Sequence, residues 1–460
     1  MKREVLFAFS RALLRALSPS YALSPAQWFV LSSALFLAAA GAASARELTL
    51  EEALALARWH SFELRAAGAE ADAARSAATA ARRGRYPTLS LEGRASVLDE
   101  LISFGFEVPP GISFERELGS KEIVQLDAAL SLPLYTGGRI SGAIDQAEAA
   151  SRLKSAMVAA TDEQVWLAAR VHYFTLDRAD NMARAAGSSL ERTRIAARNV
   201  RSMFEAGAAD SIDLLEADLA VAEASFALTR ARVERRSAEI RLQILLGIDT
   251  GEGLAIPETA PPPDEPPSLA ADISGKPQLA AASAGIEAGL AEVRISRADY
   301  LPSISLFSRY SIGKPNRDLF EGEWDDYFSV GAGLNWSFNL GNRTGHLTRA
   351  AESRVEALRL GRERIERDLS EAARLAGERM RLAWEEYRSA RERHEITSAN
   401  YRLAGRRHAA GDLPTNRLLE IEQSLSSSEA ALAAARAGYH IARSGWLYAV
   451  GSDELRKGTM

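Results

Sequence analysis

Four short stretches of the chain alternate apolar and polar positions with a period of two, and long segments with a helical period lie between them. Leu89, Leu91, Gly93, Ala95 and Val97 alternate with Ser90, Glu92, Arg94 and Ser96. Leu126, Ala128, Leu130, Leu132 and Leu134 alternate with Gln125, Asp127, Ala129, Ser131 and Pro133. Ile304, Leu306, Ser308, Tyr310 and Ile312 share one face of a third stretch, and Phe328, Val330, Ala332, Leu334, Trp336, Phe338 and Leu340 share one face of a fourth. Each predicts a strand with one apolar face and one polar or very small face. A tilted membrane-spanning strand needs about ten residues and this same alternation. A hairpin packed on the helices of a soluble protein would carry it too. Residues 100–122 and 314–326 read as polar, Gly/Pro-containing loops joining the strands of each pair.

The helical segments are long. One runs from about Thr49 to Arg83, with Thr49 as N-cap and Glu52 three residues on as its capping box. The next runs from about Gly138 to Glu205 without a proline, and at about 1.5 Å per residue spans on the order of 100 Å. A third, from about Ser211 to Leu246, is close to half that length. Their Ala/Leu stripes, interleaved with Arg and Glu, would also suit a soluble coiled coil, which keeps open an exported coiled-coil scaffold or adaptor that never enters the membrane.

The pattern occurs twice. Leu130-Ser131-Leu132-Pro133-Leu134-Tyr135-Thr136-Gly137-Gly138-Arg139 matches Leu334-Asn335-Trp336-Ser337-Phe338-Asn339-Leu340-Gly341-Asn342-Arg343. At the same offset Phe204-Glu205-Ala206-Gly207 matches His408-Ala409-Ala410-Gly411, Leu214-Leu215-Glu216 matches Leu418-Leu419-Glu420, and Gly247 matches Gly451. We therefore expect a first structural repeat over 46–255 and a second over 277–451, with a C-terminal tail at 452–460. Between them residues 256–276, with Pro257, Pro261, Pro262, Pro263, Pro266 and Pro267, read as an extended surface linker.

Composition removes several classes of function. There is no cysteine, so disulfides, thiolate metal sites and a cysteine nucleophile are excluded. The six histidines show no metal-ligand spacing, and no phosphate-cradling loop or nucleophile elbow is present. No enzyme, metal or cofactor is expected. The net charge of −5 gives no support to nucleic-acid binding. Residues 1–45 look like a signal peptide: Lys2, Arg3, Arg11 and Arg15 precede an apolar run from Trp28 to Ala40, and Ala43-Ser44-Ala45 suits cleavage. A membrane anchor is the other reading of that run, and its long basic start would fit a start codon further in. No later segment suits a transmembrane helix.

Four strands cannot close a barrel, and an open edge in lipid leaves backbone groups unpaired. The membrane reading therefore forces oligomerisation. Two copies would give eight strands with a filled interior, and three would give twelve with room for a passage.

The order of these elements and the two hairpin turns resemble the TolC family of outer-membrane efflux proteins. Phe204-Glu205-Ala206-Gly207-Ala208-Ala209-Asp210-Ser211-Ile212-Asp213-Leu214-Leu215-Glu216-Ala217 looks like the family's Tyr-x-x-Gly-x-x-x-x-x-Asp-Val/Leu-Leu-x-Ala turn, and residues 408–420 are its second copy. The resemblance covers essentially the whole mature chain. It implies a mainly α fold with four β-strands per chain. Three chains would form a 12-stranded transmembrane β-barrel continuous with a long periplasmic α-barrel of helical hairpins. It also implies an exit duct of a tripartite efflux or type I secretion system. The implied partners are two further copies, a periplasmic adaptor (a membrane fusion protein), an inner-membrane pump of resistance-nodulation-division or ABC type, and outer-membrane lipid.

On that reading the turns gate a passive conduit. Glu216 and its repeat equivalent Glu420 would place carboxylates at similar height, with Asp213 on the same helical face as Glu216. Arg417 stands at the repeat position of Asp213, where the family often has an acid, so it would bridge to Asp213 or Glu216 between hairpins. Gly207, Ala208, Gly411 and Asp412 would meet the adaptor at the tips, where Leu214 and Leu418 would either add apolar contact or belong to the hairpin core. Tyr86, Tyr135, Tyr300, Tyr310 and Trp336 would form interfacial girdles.

Overall fold

The computed structural model describes residues 46–458 apart from 109–110, 119, 252, 266–267, 271 and 318–322, so the signal-peptide reading of residues 1–45 lies outside the described residues. The chain divides into two units. In the smaller, β1 (Arg46–Glu47) pairs in parallel with β6 (Leu254–Ala255). In the larger, α1 (Leu50–His60) and α2 (Phe62–Arg83) precede β2 (Thr88–Val97), the hairpin β3 (Ile102–Val108) and β4 (Ile112–Leu118), and β5 (Glu122–Tyr135). The long α3 (Arg139–Glu205) and its return helix α4 (Ser211–Leu246) follow. The second half runs α5 (Pro277–Arg297), β7 (Ser303–Lys314), β8 (Asp325–Asn335), α6 (Arg343–Ala409) and α7 (Thr415–Val450).

The fold is mainly helical, and the two halves correspond residue for residue beyond the strands. Helices α3 and α6 each have 67 residues and α4 and α7 each have 36. The Thr49–Glu52 capping box forms. The first helix is nevertheless broken at Ser61, which is extended (ψ 115°) and whose hydroxyl accepts from Leu64 N–H at 3.1 Å. A serine inside a helical period can cap a new helix as readily as continue the old one.

Strands β2, β5, β7 and β8 form one antiparallel sheet in that order, leaving β2 and β8 as its edges. The register aligns the apolar positions: Leu91 lies opposite Ala128, Ala128 opposite Tyr310, and Tyr310 opposite Phe328. Directly opposed residues share a face, so the apolar positions of all four strands merge into one surface. The opposite face carries Glu92, Asp127, Ser311 and Gly331, with the Phe307 ring lying over Gly331.

Two strand expectations are corrected. The chain has more than four strands, because β3 and β4 occupy residues read as loop. The prolines and charges of that stretch outweighed a short alternation, Ile102, Phe104 and Phe106, which in the structure pairs with Ile112–Leu118 across a turn containing Gly111 at φ +82°. The fourth strand ends at Asn335, and Trp336–Leu340 leave the sheet.

Residues 258–265, 268–270 and 272–276 lie against α6 and α7, held by side chains that reach their backbone. Trp384 Nε1 donates to Pro263 O at 2.8 Å and His440 Nε2 lies 3.0 Å from Ala260 O. Lys276, at the end of this strap, is buried with Glu163 of α3: Nζ is 2.7 Å from Glu163 Oε2 and also donates to Tyr448 O at 2.7 Å. Nearby, buried Arg170 donates to the carbonyls of Glu454, Leu455 and Lys457.

His440 stacks on Phe174 with ring centroids 4.8 Å apart. Burial lowers its pKa from 6.5 to about 4, against the opposing hydrogen bond to Ala260 and reinforced by Arg443, Arg436 and Arg170. The unfolded chain takes up this proton near pH 6.5 and the folded chain only near pH 4. The contribution is therefore complete above pH 6.5, is lost as pH falls toward 4, and is constant below. Asp177, raised by burial, acts in the opposite direction. Subtracting the stability–pH curve of His440→Gln from that of the wild type isolates the histidine. A difference flat between pH 6.5 and 4 would show that the ring is not desolvated.

Candidate functional site

Helices α3 and α6 both end in a left-handed glycine, Gly207 at φ +73° and Gly411 at φ +83°. A side chain there would be strained. The carbonyls left free by the turn are taken up locally: Ala208 N–H donates to Met203 O at 2.7 Å and Asp412 N–H to Arg407 O at 2.9 Å. Gly207, Ala208, Gly411 and Asp412 are all exposed.

The return helices start differently. Asp210 caps α4, accepting from Ile212 N–H at 2.8 Å and Asp213 N–H at 2.9 Å, and Asp213 accepts from Asp210 N–H at 3.3 Å. Asp213 is thus already engaged at the cap and is half-buried. In the second turn Pro414 occupies the N-cap with no side-chain bond, and Thr415 is the buried first residue of α7. The tie is supplied by His408, whose Nδ1 lies 2.9 Å from Leu413 O. His408 was legible only as the repeat partner of Phe204, and its lack of metal-ligand spacing gave no sign of this role.

Glu216 and Glu420 are exposed and line one groove between α4 and α7, together with Glu223 and Asn416. Arg417 is 2.6 Å from Glu420 in its own helix. This i,i+3 pair replaces the expected bridge to Asp213 or Glu216 within the chain, because the helix itself brings the partners into reach. Of the two readings of Leu418 the structure favours the core: it is 6 % exposed and packs with Ala196, Ala404 and Ile421. Leu214 is half-buried.

The groove rests on a network that the sequence did not reveal. Arg192 of α3 binds Glu429 through both terminal nitrogens, at 3.1 and 2.8 Å, and lies 3.2 Å from Glu422. Glu422 also accepts from Ser189 Oγ at 2.9 Å. The network joins the first hairpin to the second well above the turns.

At the sheet, Tyr86, Tyr135, Tyr300 and Trp336 all lie where strands meet helices, and all are exposed. Trp336 Nε1 donates to Tyr300 O at 3.1 Å. Tyr310 does not belong to this rim; it lies within β7, opposite Phe328 and hydrogen-bonded to Asp326. Among the described residues no helix is long and apolar enough to cross a membrane, and no group of His, Asp and Glu could hold a metal ion.

The family model described as outer membrane efflux protein matches residues 53–248 and 272–451. A protein named CyaE from Bordetella pertussis is 27 % identical over 362 residues, covering 76 % of this chain and 71 % of that protein. The CmeC outer membrane channel of Campylobacter jejuni superposes with a TM-score of 0.72 at 15 % identity, over 89 % of this chain and 90 % of that one. The outer membrane protein VceC of Vibrio cholerae gives 0.72 at 16 % identity, over 87 % and 96 %. At such identities the structural likeness establishes the fold.

Proposed function

The chain belongs to the outer membrane efflux protein family, and on that premise we propose that three copies form the outer-membrane exit duct of a tripartite efflux or type I secretion system. One observation carries the reading: a single apolar face spans all four sheet strands while β2 and β8 are left as unpaired edges. An edge cannot remain open in lipid. Pairing β8 of each copy with β2 of the next closes the sheet, and twelve strands leave a passage.

The helices support closure by like copies. On α4, Ile212, Leu219, Phe226 and Val233 are exposed at intervals of seven, as are Leu375, Leu382, Ile396 and Leu403 on α6 at multiples of seven. Seven-residue spacing is that of a coiled-coil seam. Two different seams on one chain suit a head-to-tail ring. The helical part would then form a periplasmic tunnel.

The turns would be the gate. Glu216 and Glu420 of three copies would surround the axis, with Asp213 at the cap and Arg417 offsetting part of their charge. Gly207, Ala208, Gly411, Asp412 and the flank of Leu214 would receive a periplasmic adaptor, and an inner-membrane pump would supply the energy.

The test is conductance across a planar lipid bilayer, titrated in pH. Discrete cation-selective steps that fall as the carboxylates protonate are expected. Arg417→Gln frees Glu420 and should raise both conductance and cation selectivity, whereas unchanged conductance would remove Arg417 from the gate. A protein that stays soluble without detergent and never inserts would overturn the duct.

A further inference from the structure

The rim where strands meet helices has an unusual charge. In the nine residues that flank each of β2, β5, β7 and β8 on the helix side, outside the strands, lie seven arginines, one aspartate and no lysine or glutamate. The stretches beyond the opposite strand ends, 98–121 and 315–324, hold eight carboxylates against three basic residues. The sequence flanking the sheet is therefore basic on the helix side and acidic on the other, in a chain of net charge −5.

Four of the rim arginines are neutralised within the chain. Arg82 pairs with Glu148 at 2.7 Å, Arg139 with Asp299 at 2.7 Å, Arg294 with Asp145 at 2.8 Å and Arg297 with Glu352 at 2.7 Å. Among the described residues Arg83, Arg85 and Arg343 have no carboxylate in reach, and all three are exposed. Arg83 lies over the Tyr86 ring, 5.2 Å from its centroid. Their positions are informative: Arg83 and Arg85 precede β2, and Arg343 follows β8, the two edges of the sheet. Closing the sheet as in the reading above, on which this inference rests, brings Arg343 of one copy beside Arg83 and Arg85 of the next.

The carboxylates paired with the other rim arginines, Asp299, Glu148, Asp145 and Glu352, are already held by Arg139, Arg82, Arg294 and Arg297, so the seam arginines of adjoining copies would meet as like charges. Uncompensated guanidinium groups at a seam attract an anion, and their planar forks suit phosphate. The surroundings say which phosphate. In the segment between β8 and Arg343, Trp336 is 51 % exposed, Phe338 70 % and Leu340 100 %, and Tyr86 on the other edge is 58 % exposed. Exposed apolar side chains in the same segments as the cations, with Tyr86 under Arg83, suit a molecule with acyl chains attached to its phosphate rather than a free ion.

We propose that each seam of the closed barrel binds the phosphate of an anionic phospholipid through Arg83 and Arg85 of one copy and Arg343 of the next, with Tyr86, Trp336 and Phe338 against its acyl chains. The lipid completes the interface where protein charge alone leaves like charges together. It is a structural component of the joint between copies.

Native mass spectrometry of the full-length protein, titrated with dioleoylphosphatidylglycerol or dioleoylphosphatidylcholine, tests this. The expected result is an oligomer that retains phosphatidylglycerol preferentially. The variant Arg83→Gln/Arg85→Gln/Arg343→Gln should weaken that binding about tenfold or more, and changes at either edge alone should give intermediate losses. The oligomer peak shows in the same spectrum that the variant has folded. An oligomer that retains both lipids alike, or a triple variant that binds as the wild type does, would overturn the site while leaving the duct intact. Equal displacement by millimolar inorganic phosphate would reduce it to an ion site and overturn the lipid assignment. A monomer under every condition would remove the seam itself.

Discussion

Glu163→Gln is expected to lower the stability of the full chain by about 3–5 kcal/mol. Lys276 and Glu163 have side-chain exposures of 1 % and 5 %, and their charged atoms are 2.7 Å apart. Whether such a pair stabilises relative to an apolar pair is a close contest between Coulomb attraction and desolvation. Removing one partner is not close, because the remaining ammonium stays buried without its counter-charge. Tyr448 offers it a carbonyl at 2.7 Å and a ring at 4.2 Å, which soften the loss without replacing a carboxylate. The double variant Glu163→Leu/Lys276→Met should therefore recover most of what the single change loses. Denaturation followed by far-ultraviolet circular dichroism at fixed protein concentration measures both. A loss below about 1 kcal/mol for Glu163→Gln would mean that water reaches the lysine, as at an exposed ion pair.

The second large effect is at the sheet. Val330 lies in the middle of β8 on the apolar face, opposite Ser308, and is 65 % exposed. An arginine on a lipid face near the bilayer centre costs about 2–4 kcal/mol per chain, repeated in every copy of a ring. Val330→Arg should abolish insertion. Its neighbour Ser329 lies on the other face, opposite Arg309. Ser329→Asp sets opposite charges across the strands and should insert normally. Heat-modifiable mobility on electrophoresis and recovery in the outer-membrane fraction distinguish the two. Insertion of Val330→Arg together with loss of Ser329→Asp would reverse the faces.

Much of this was legible in the sequence for definite reasons. Period-two alternation is unaffected by what lies elsewhere, so Leu89–Val97 and Leu126–Leu134 announce themselves as strands. Duplication supplied a second copy of each turn, so Gly207 and Gly411 corroborate one another. What stayed hidden depends on partners distant in the chain. Glu163 and Lys276, or Arg192 with Glu422 and Glu429, look like any solvated helix charge until packing joins them. Leu418 has the same local pattern whether it faces a hairpin core or an adaptor. Ser61 fits both the interior of a helix and a cap, and only the ψ of 115° decides between them. The β3–β4 hairpin was hidden by its own turn, whose prolines and glycine read as loop.

The two unpaired strand edges have a consequence for inheritance. In the proposed ring each sheet is completed by its neighbours, so a chain there cannot be judged by its own genotype. A copy such as Val330→Arg that still recognises partners through its α4 and α6 seams would be built into rings alongside normal copies, and one such member leaves the ring unable to enter lipid. Expressed with the wild type, the variant should behave as a dominant allele and reduce export far below half. A variant that also disrupts the seams, for example with Phe226→Glu, should be recessive, because it never joins a ring.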